Sequence, residues 1–321
     1  MNIPSSDHAP AWRAILFLSL ATVLWGAAFP VSKSVLTSMD PICMATWRYG
    51  IAAPVFLGVL AWREGFTALR PEGGLWRLVG LGTLGFAGFN LLMFYGVEMS
   101  RPEFGAIVMA LQPLIAVLIQ WARSGERPAT RSFVALAIAV LGVVLLTTDG
   151  HPARLTEHAA ALPTLMMIAG GTCWVLYSMG AAAFPHWSPL RYTALSSTGG
   201  ALGLGAIWLL VGAAGGLRMA PTSQLPELAP ALLFLILPAA VIAVLCWNQG
   251  IRQFGAQRGM LFINLVPLTA LAVGVLRGHG LGSGELAGAV LVLASLLVNQ
   301  LGSRRKPLSR PLCPATATRQ A

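Results

Sequence analysis

GMLFINLVPL, residues 259–268, and GAIVMALQPL, residues 105–114, decide how this chain folds. Both run from a glycine to the leucine after a proline, at the same spacing. Each sits in an apolar run with a polar amide (Asn264 or Gln112) and a proline (Pro267 or Pro113) that has no backbone N–H. An ordinary core helix avoids both. A segment this unusual, present twice, points to an internal repeat.

The rest of the chain follows the same register. An offset of 154 residues lays Gly96 on Gly250, Gly105 on Gly259, Leu111 on Leu265 and Pro113 on Pro267. Earlier in each half Trp25 meets Trp174 at an offset of 149, and near the end Ala135 meets Gly288 at 153.

The solvent of this chain is set by its composition. Of 321 residues 56% are hydrophobic and only 10% charged, and the mean hydropathy is +0.73. A soluble domain carries about 25% charged residues. So few charges leave the lipid bilayer as the solvent and exclude an ordinary soluble enzyme. Apolar segments of roughly 18–24 residues are long enough to span, and they fall near 12–32, 41–62, 75–97, 102–121, 131–148, 162–182, 190–213, 229–251, 255–277 and 283–301. The expected fold is all-α and integral to the membrane, with ten transmembrane helices. Two units of five helices, an odd number, must lie upside down relative to each other, as in many secondary transporters. The first apolar run has no convincing cleavage site and reads as a retained helix.

The net charge of +10 does not indicate nucleic acid, because no face is left to gather a basic patch. With the N-terminus inside, fifteen of the 21 Lys and Arg residues fall on the cytoplasmic side and five outside, leaving Arg48 within a helix. The inside group includes the tail residues Arg304, Arg305, Lys306 and Arg310. This asymmetry puts both termini in the cytoplasm. Cys43, Cys173 and Cys246 lie in apolar runs and Cys313 in the tail, without a CxxC pair, so neither a disulfide framework nor a metal site is expected.

Particular stretches carry a resemblance. LATVLWGAAFPVSKSVL (20–36), ATWRYG (45–50), FNLLMFYGVEM (89–99) and SGERPATRSFVALAIAVLGVVLL (124–146) resemble the first half of an EamA-type protein of the drug/metabolite transporter superfamily. TCWVLYSMG (172–180), WNQGIRQFG (247–255), GMLFINLVPLTAL (259–271) and ELAGAVLVLASLL (285–297) are similar to that family's second repeat. The resemblance implies a permease of the cell inner membrane that exports small metabolites such as amino acids. Its domains would be a cytoplasmic tail (1–11), a first repeat (12–148), a connecting loop (149–161), a second repeat (162–301) and a basic cytoplasmic tail (302–321). One departure is His279, in Arg277-Gly278-His279-Gly280, where the family pattern has the acid of Gly125-Glu126.

A path through lipid needs polar groups facing a cavity. Gln112 and Asn264 beside the kinking prolines Pro113 and Pro267 are candidates, as hydrogen-bonding groups at gating bends. Packing between helices is the alternative for all four. Asn90, Tyr95, Trp247 and Asn248 form a second set, with Trp25, Trp174 and Tyr177 on the same wall. Aromatic faces beside amides suit an amphipathic organic solute, whereas interfacial anchoring accounts for Trp12, Trp62 and Trp76 at helix ends. Arg48, the one cation well inside a run, either receives a substrate carboxylate, snorkels to the surface or caps backbone carbonyls. Gly80, Gly82, Gly85 and Gly88, with Gly199, Gly200, Gly203 and Gly205, read as close helix packing.

No carboxylate sits mid-membrane to relay protons, and no G-x-x-x-x-G-K-[ST] loop binds a nucleotide. No cofactor is expected. The expected partners are a small-molecule substrate and the bilayer, with a homodimer left open. A nucleotide-sugar or drug transporter is the alternative within the class. A lipid-modifying enzyme would need a base in the membrane, and His8, His151, His158, His186 and His279 all fall in loops or tails.

Overall fold

The computed structural model describes residues 11–151, 158–254, 259–278, 280 and 282–301. Both tails, part of the connecting loop and His279 lie outside the described residues. The described residues are all helix, turn or loop. The helices are α1 (Ala11–Leu36), α2 (Pro41–Glu64), α3 (Leu75–Glu98), α4 (Pro102–Met109), α5 (Gln112–Ser124), α6 (Thr130–Thr148), α7 (His158–Gly180), α8 (Pro189–Ala213), α9 (Thr222–Phe254), α10 (Leu265–Leu276) and α11 (Ser283–Leu301).

Six of these, α1, α2, α3, α7, α8 and α9, are long and apolar enough to cross a membrane. The pair α4 and α5 is a seventh if counted together, bent by 44° at the break. Shorter apolar helices cover Thr130–Leu146, Phe262–Leu276 and Ser283–Ser295. The chain is a multi-pass membrane protein.

Local chemistry sets the ends. Asp40 caps α2 by accepting from the Cys43 N–H at 2.8 Å, with Pro41 in the first turn where a missing N–H costs nothing. Ser188 caps α8 in the same way, accepting from the Arg191 N–H at 3.0 Å ahead of Pro189. Gly125 ends α5 at φ +71°, a left-handed conformation that glycine adopts without strain. Pro113 and Pro267 fall in the first turns of α5 and α10. The irregular backbone lies just before them, at Ala110–Leu111 and in the 3₁₀ turns of Met260–Asn264.

The two halves make matching contacts with exchanged roles. In the helix pairs α3–α7 and α9–α1, a Cβ at Gly96 would stand 2.7 Å from the Pro163 carbonyl and 2.5 Å from Met167. A Cβ at Gly250 would stand 3.4 Å from the Ala14 carbonyl and 2.5 Å from Leu18. The offsets of 154 and 149 relate every member of these two sets. The same 154 relates two π-helical segments, Thr83–Gly88 in α3 and Leu237–Ile242 in α9.

Glycine is required at such crossings, so Gly250→Leu is expected to cost about 1–3 kcal/mol or more by overpacking. Gly58→Leu on α2, where a Cβ would meet nothing within 4 Å, is expected to be close to neutral. Thermal unfolding of the two variants in detergent checks the difference.

Candidate functional site

The π segments bound the centre of the molecule. A cavity of about 50 Å³ there is lined by Trp25 and Phe29 of α1, Arg48 and Tyr49 of α2, Phe86, Phe89 and Phe94 of α3, Trp174 of α7, and Ala239 and Ala240 of α9. It shares Trp25, Phe86, Trp174 and Val244 with a wider cavity of about 250 Å³. The wider one reaches Phe184, Trp187 and Pro189 at the turn between α7 and α8, passing Tyr177, Trp247 and Asn248.

Arg48 is the polar feature of the inner cavity and is only 6% exposed. Its Nε donates to the Leu235 carbonyl at 3.1 Å and its Nη1 to Asn90 Oδ1 at 3.2 Å. Asn90 in turn donates from Nδ2 to the Phe86 carbonyl at 2.7 Å, so its orientation is fixed. The guanidinium carbon lies 5.4 Å from the Tyr49 ring centre and 5.9 Å from that of Phe94. No carboxylate is within ion-pair distance of Arg48 among the described residues. Burying an unpaired ion costs several kcal/mol, and that cost falls if an anion enters the cavity beside it.

The π winding around Pro238 serves this site. The α9 carbonyls of Leu235 and Ala239 accept side-chain donors, the second taking the Trp25 indole N–H at 3.1 Å. Trp25 therefore offers a ligand its ring face and not its N–H. Its ring centre is 5.3 Å from that of Trp247, and Trp174 lies 5.4 Å from Phe89 and 5.2 Å from Tyr177. The Tyr177 hydroxyl is already engaged with Ser196 Oγ at 3.1 Å.

The sequence candidates thus divide. Trp25, Arg48 and Trp174 line the inner cavity, with Asn90 behind Arg48, while Tyr177, Trp247 and Asn248 line the wider one. Tyr95, Gln112 and Asn264 line neither. Tyr95 stands toward Asp40, Glu98 and Arg218. Gln112 Nε2 and Asn264 Oδ1 are buried without a hydrogen-bond partner among the described residues. The turn after Asn264 is pressed on α1, where a Cβ at Gly26 would be 2.6 Å from the Val266 carbonyl. The wall phenylalanines Phe86, Phe89 and Phe94 did not stand out in the sequence, since phenylalanine is common in any spanning helix.

The two ends of the bundle differ. Beyond the inner cavity, Lys33 Nζ donates to the carbonyls of Val97 (2.9 Å), Glu98 (2.7 Å) and Ser100 (2.7 Å). Arg218 pairs with Glu98, and its backbone N–H donates to Asp40 Oδ2 at 2.8 Å. Arg101 pairs with Glu285 at 2.6 Å, and Arg277 donates to the Pro30 carbonyl at 3.0 Å. This network ties that end shut. At the other end Arg191 and Trp187 donate to Glu72, which holds its carboxyl below the usual range, chiefly through the Arg191 bond. The wider cavity reaches that end at Trp187 and Ser188.

Comparison with known proteins agrees with the repeat. The model of the EamA-like transporter family matches residues 12–148 and again 162–300. The chain is 29% identical to the uncharacterized transporter YrdR of Bacillus subtilis (strain 168), over 91% of this chain and 92% of that protein. It is 29% identical to Protein PecM of Dickeya dadantii (strain 3937), over 92% and 97%. A probable amino-acid metabolite efflux pump of Escherichia coli (strain K12) is 24% identical, over 89% and 94%. A solved structure described only as a crystal structure of a protein aligns with TM-score 0.60 and 21% identity over 91% of this chain and 97% of its own, a likeness of fold.

Proposed function

The chain belongs to the EamA-like transporter family, and on that premise we propose that it is an inner-membrane exporter of small amphipathic metabolites bearing a carboxylate, amino acids or related compounds. It works by alternating access between two inverted five-helix repeats, and not as an enzyme. The observation that carries this reading is Arg48, a buried cation without a carboxylate partner among the described residues, in an aromatic cavity that leads to one end of the bundle. The efflux-pump name of a relative supports the amphipathic solute class, and the aromatic lining suits it better than a nucleotide sugar.

Ten passes and an inverted arrangement are part of the proposal. Support comes from the exchanged contacts of Gly96 and Gly250 and from the repeated π segments. It also comes from the alternation of ends. Residues 40, 98, 101, 218, 277 and 285 meet in the tied network, and residues 64, 72, 188 and 191 meet at the opposite end. The positive-inside count puts the termini, and the wider cavity, on the cytoplasmic side.

Two experiments test the proposal. Vesicles containing the purified chain are expected to pass carboxylate-bearing amphipathic solutes in a panel of amino acids, sugars and drugs; equal leakage from protein-free vesicles would remove the transport reading. Tags at positions 150 and 215 are expected to be reachable only from outside the cell, and tags at 125 and 305 only from inside. The same side for 125 and 150 would break the ten-pass reading in the first half.

A further inference from the structure

Resting on the reading that this cavity binds the transported solute, we propose that the solute is a monoanion, with one carboxylate on an uncharged apolar body, and not a zwitterionic free amino acid. A zwitterion brings a second charge that must also find a place. Arg48 supplies a site for the carboxylate, but among the described residues no Asp or Glu lines either cavity to receive an ammonium group.

The carboxylates nearest the mouth already have partners. Glu64 accepts from Ser188 Oγ at 2.6 Å, and Glu72 accepts from Trp187 and Arg191. Asp40, Glu98 and Glu285 belong to the tied network at the far end, with Arg218 and Arg101. The α-ammonium of an amino acid is two bonds from its carboxylate carbon. A carboxylate seated on Arg48 therefore carries that ammonium into the neighbourhood of the guanidinium, where like charges repel in a medium of low dielectric.

Ring faces do attract cations, and Phe86, Phe89 and Trp174 stand close by. That attraction is smaller than the hydration an ammonium loses on burial. A deaminated or N-acylated acid has no such loss, and its apolar body gains the aromatic wall. Asn248, on the wider cavity, has an Nδ2 donor without a partner among the described residues. An amide there can bond a carbonyl or hydroxyl oxygen of the body, and it brings no negative charge to balance an ammonium.

Calorimetric titration of the full chain in lipid nanodiscs tests this with four ligands sharing one body: 3-phenylpropanoate, phenylalanine, 3-phenylpropanamide and phenethylamine. The expected result is that 3-phenylpropanoate binds at least about tenfold more tightly than phenylalanine, with the amide and the amine weaker still. Arg48→Gln is expected to erase the preference of the acid over the amide while the protein elutes as a folded species. Phenylalanine binding as tightly as the acid, or more so, overturns the monoanion inference and leaves the carboxylate-exporter reading standing. Binding of neither the acid nor phenylalanine to folded protein overturns both.

Discussion

Replacement of Arg48 by glutamine is expected to weaken binding of a carboxylate solute by about 10- to 150-fold. Hydrogen bonds to a charged group contribute roughly 1.5–3 kcal/mol, and glutamine keeps a donor but no charge. Arg48→Lys keeps the charge and loses the planar fork that grips a carboxylate with two bonds, so it is expected to fall between. The sign of the stability change separates recognition from structure. Arg48 is 6% exposed with no carboxylate partner among the described residues, so removing the ion relieves a desolvation cost. The glutamine variant is therefore expected to melt at the same temperature as the parent or higher while binding fails. If melting temperature and binding drop together, and neutral analogues lose as much as carboxylates, Arg48 holds the fold and does not read the solute.

Replacement of Lys33 by methionine is expected to unseal the tied end. Within that network, Lys33 and Arg218 are the cations that hold the end of α3. The Arg218–Glu98 pair is exposed, with side chains 52% and 23% accessible, and such pairs contribute about 0–1 kcal/mol. Lys33 is half-buried and makes three charge-assisted bonds, to the last two carbonyls of α3 and to that of Ser100 just beyond it. Losing even one or two of them shifts a two-state equilibrium by roughly 10- to 100-fold. The check uses a chain with Cys43, Cys173, Cys246 and Cys313 changed to alanine and a cysteine introduced at Phe29, on the inner cavity. A thiol reagent that cannot cross the membrane, applied at the sealed side, is expected to modify Phe29→Cys about tenfold faster when Lys33→Met is added. An unchanged rate means that other contacts hold this end closed.

Much of this architecture was legible in the sequence, because it depends on local and repeated signals. The glycine and proline spacing exposed the repeat, and its two offsets reappear as equivalent contacts at Gly96 and Gly250. Pro113 marked a real break, since a proline forbids the preceding residues a regular turn; the bend there is 44°. The π segments were not legible. Only Pro238 in Leu237–Ile242 hints at one, and its partner Thr83–Gly88 contains no proline.

The candidate site was partly legible for the same reason. Arg48 stood out as a charge within an apolar run, but its link to Asn90 joins α2 to α3 and no spacing rule predicts it. Asn90 and Tyr95, five positions apart, separate in space: one turns to Arg48 and the other toward Asp40 and Glu98. Gln112 and Asn264 were suggested by their polarity beside the kinking prolines, and neither signal says which face of a helix meets the cavity.

The central claim is a carrier that alternates around Arg48, and solute counterflow tests it most directly. Vesicles containing the chain are loaded with unlabelled 3-phenylpropanoate and placed in a trace of the labelled acid. A carrier is predicted to accumulate label transiently above equilibrium, with the overshoot lost in Arg48→Gln vesicles of equal protein content. Simple equilibration without overshoot, or an overshoot undiminished by Arg48→Gln, would contradict the account.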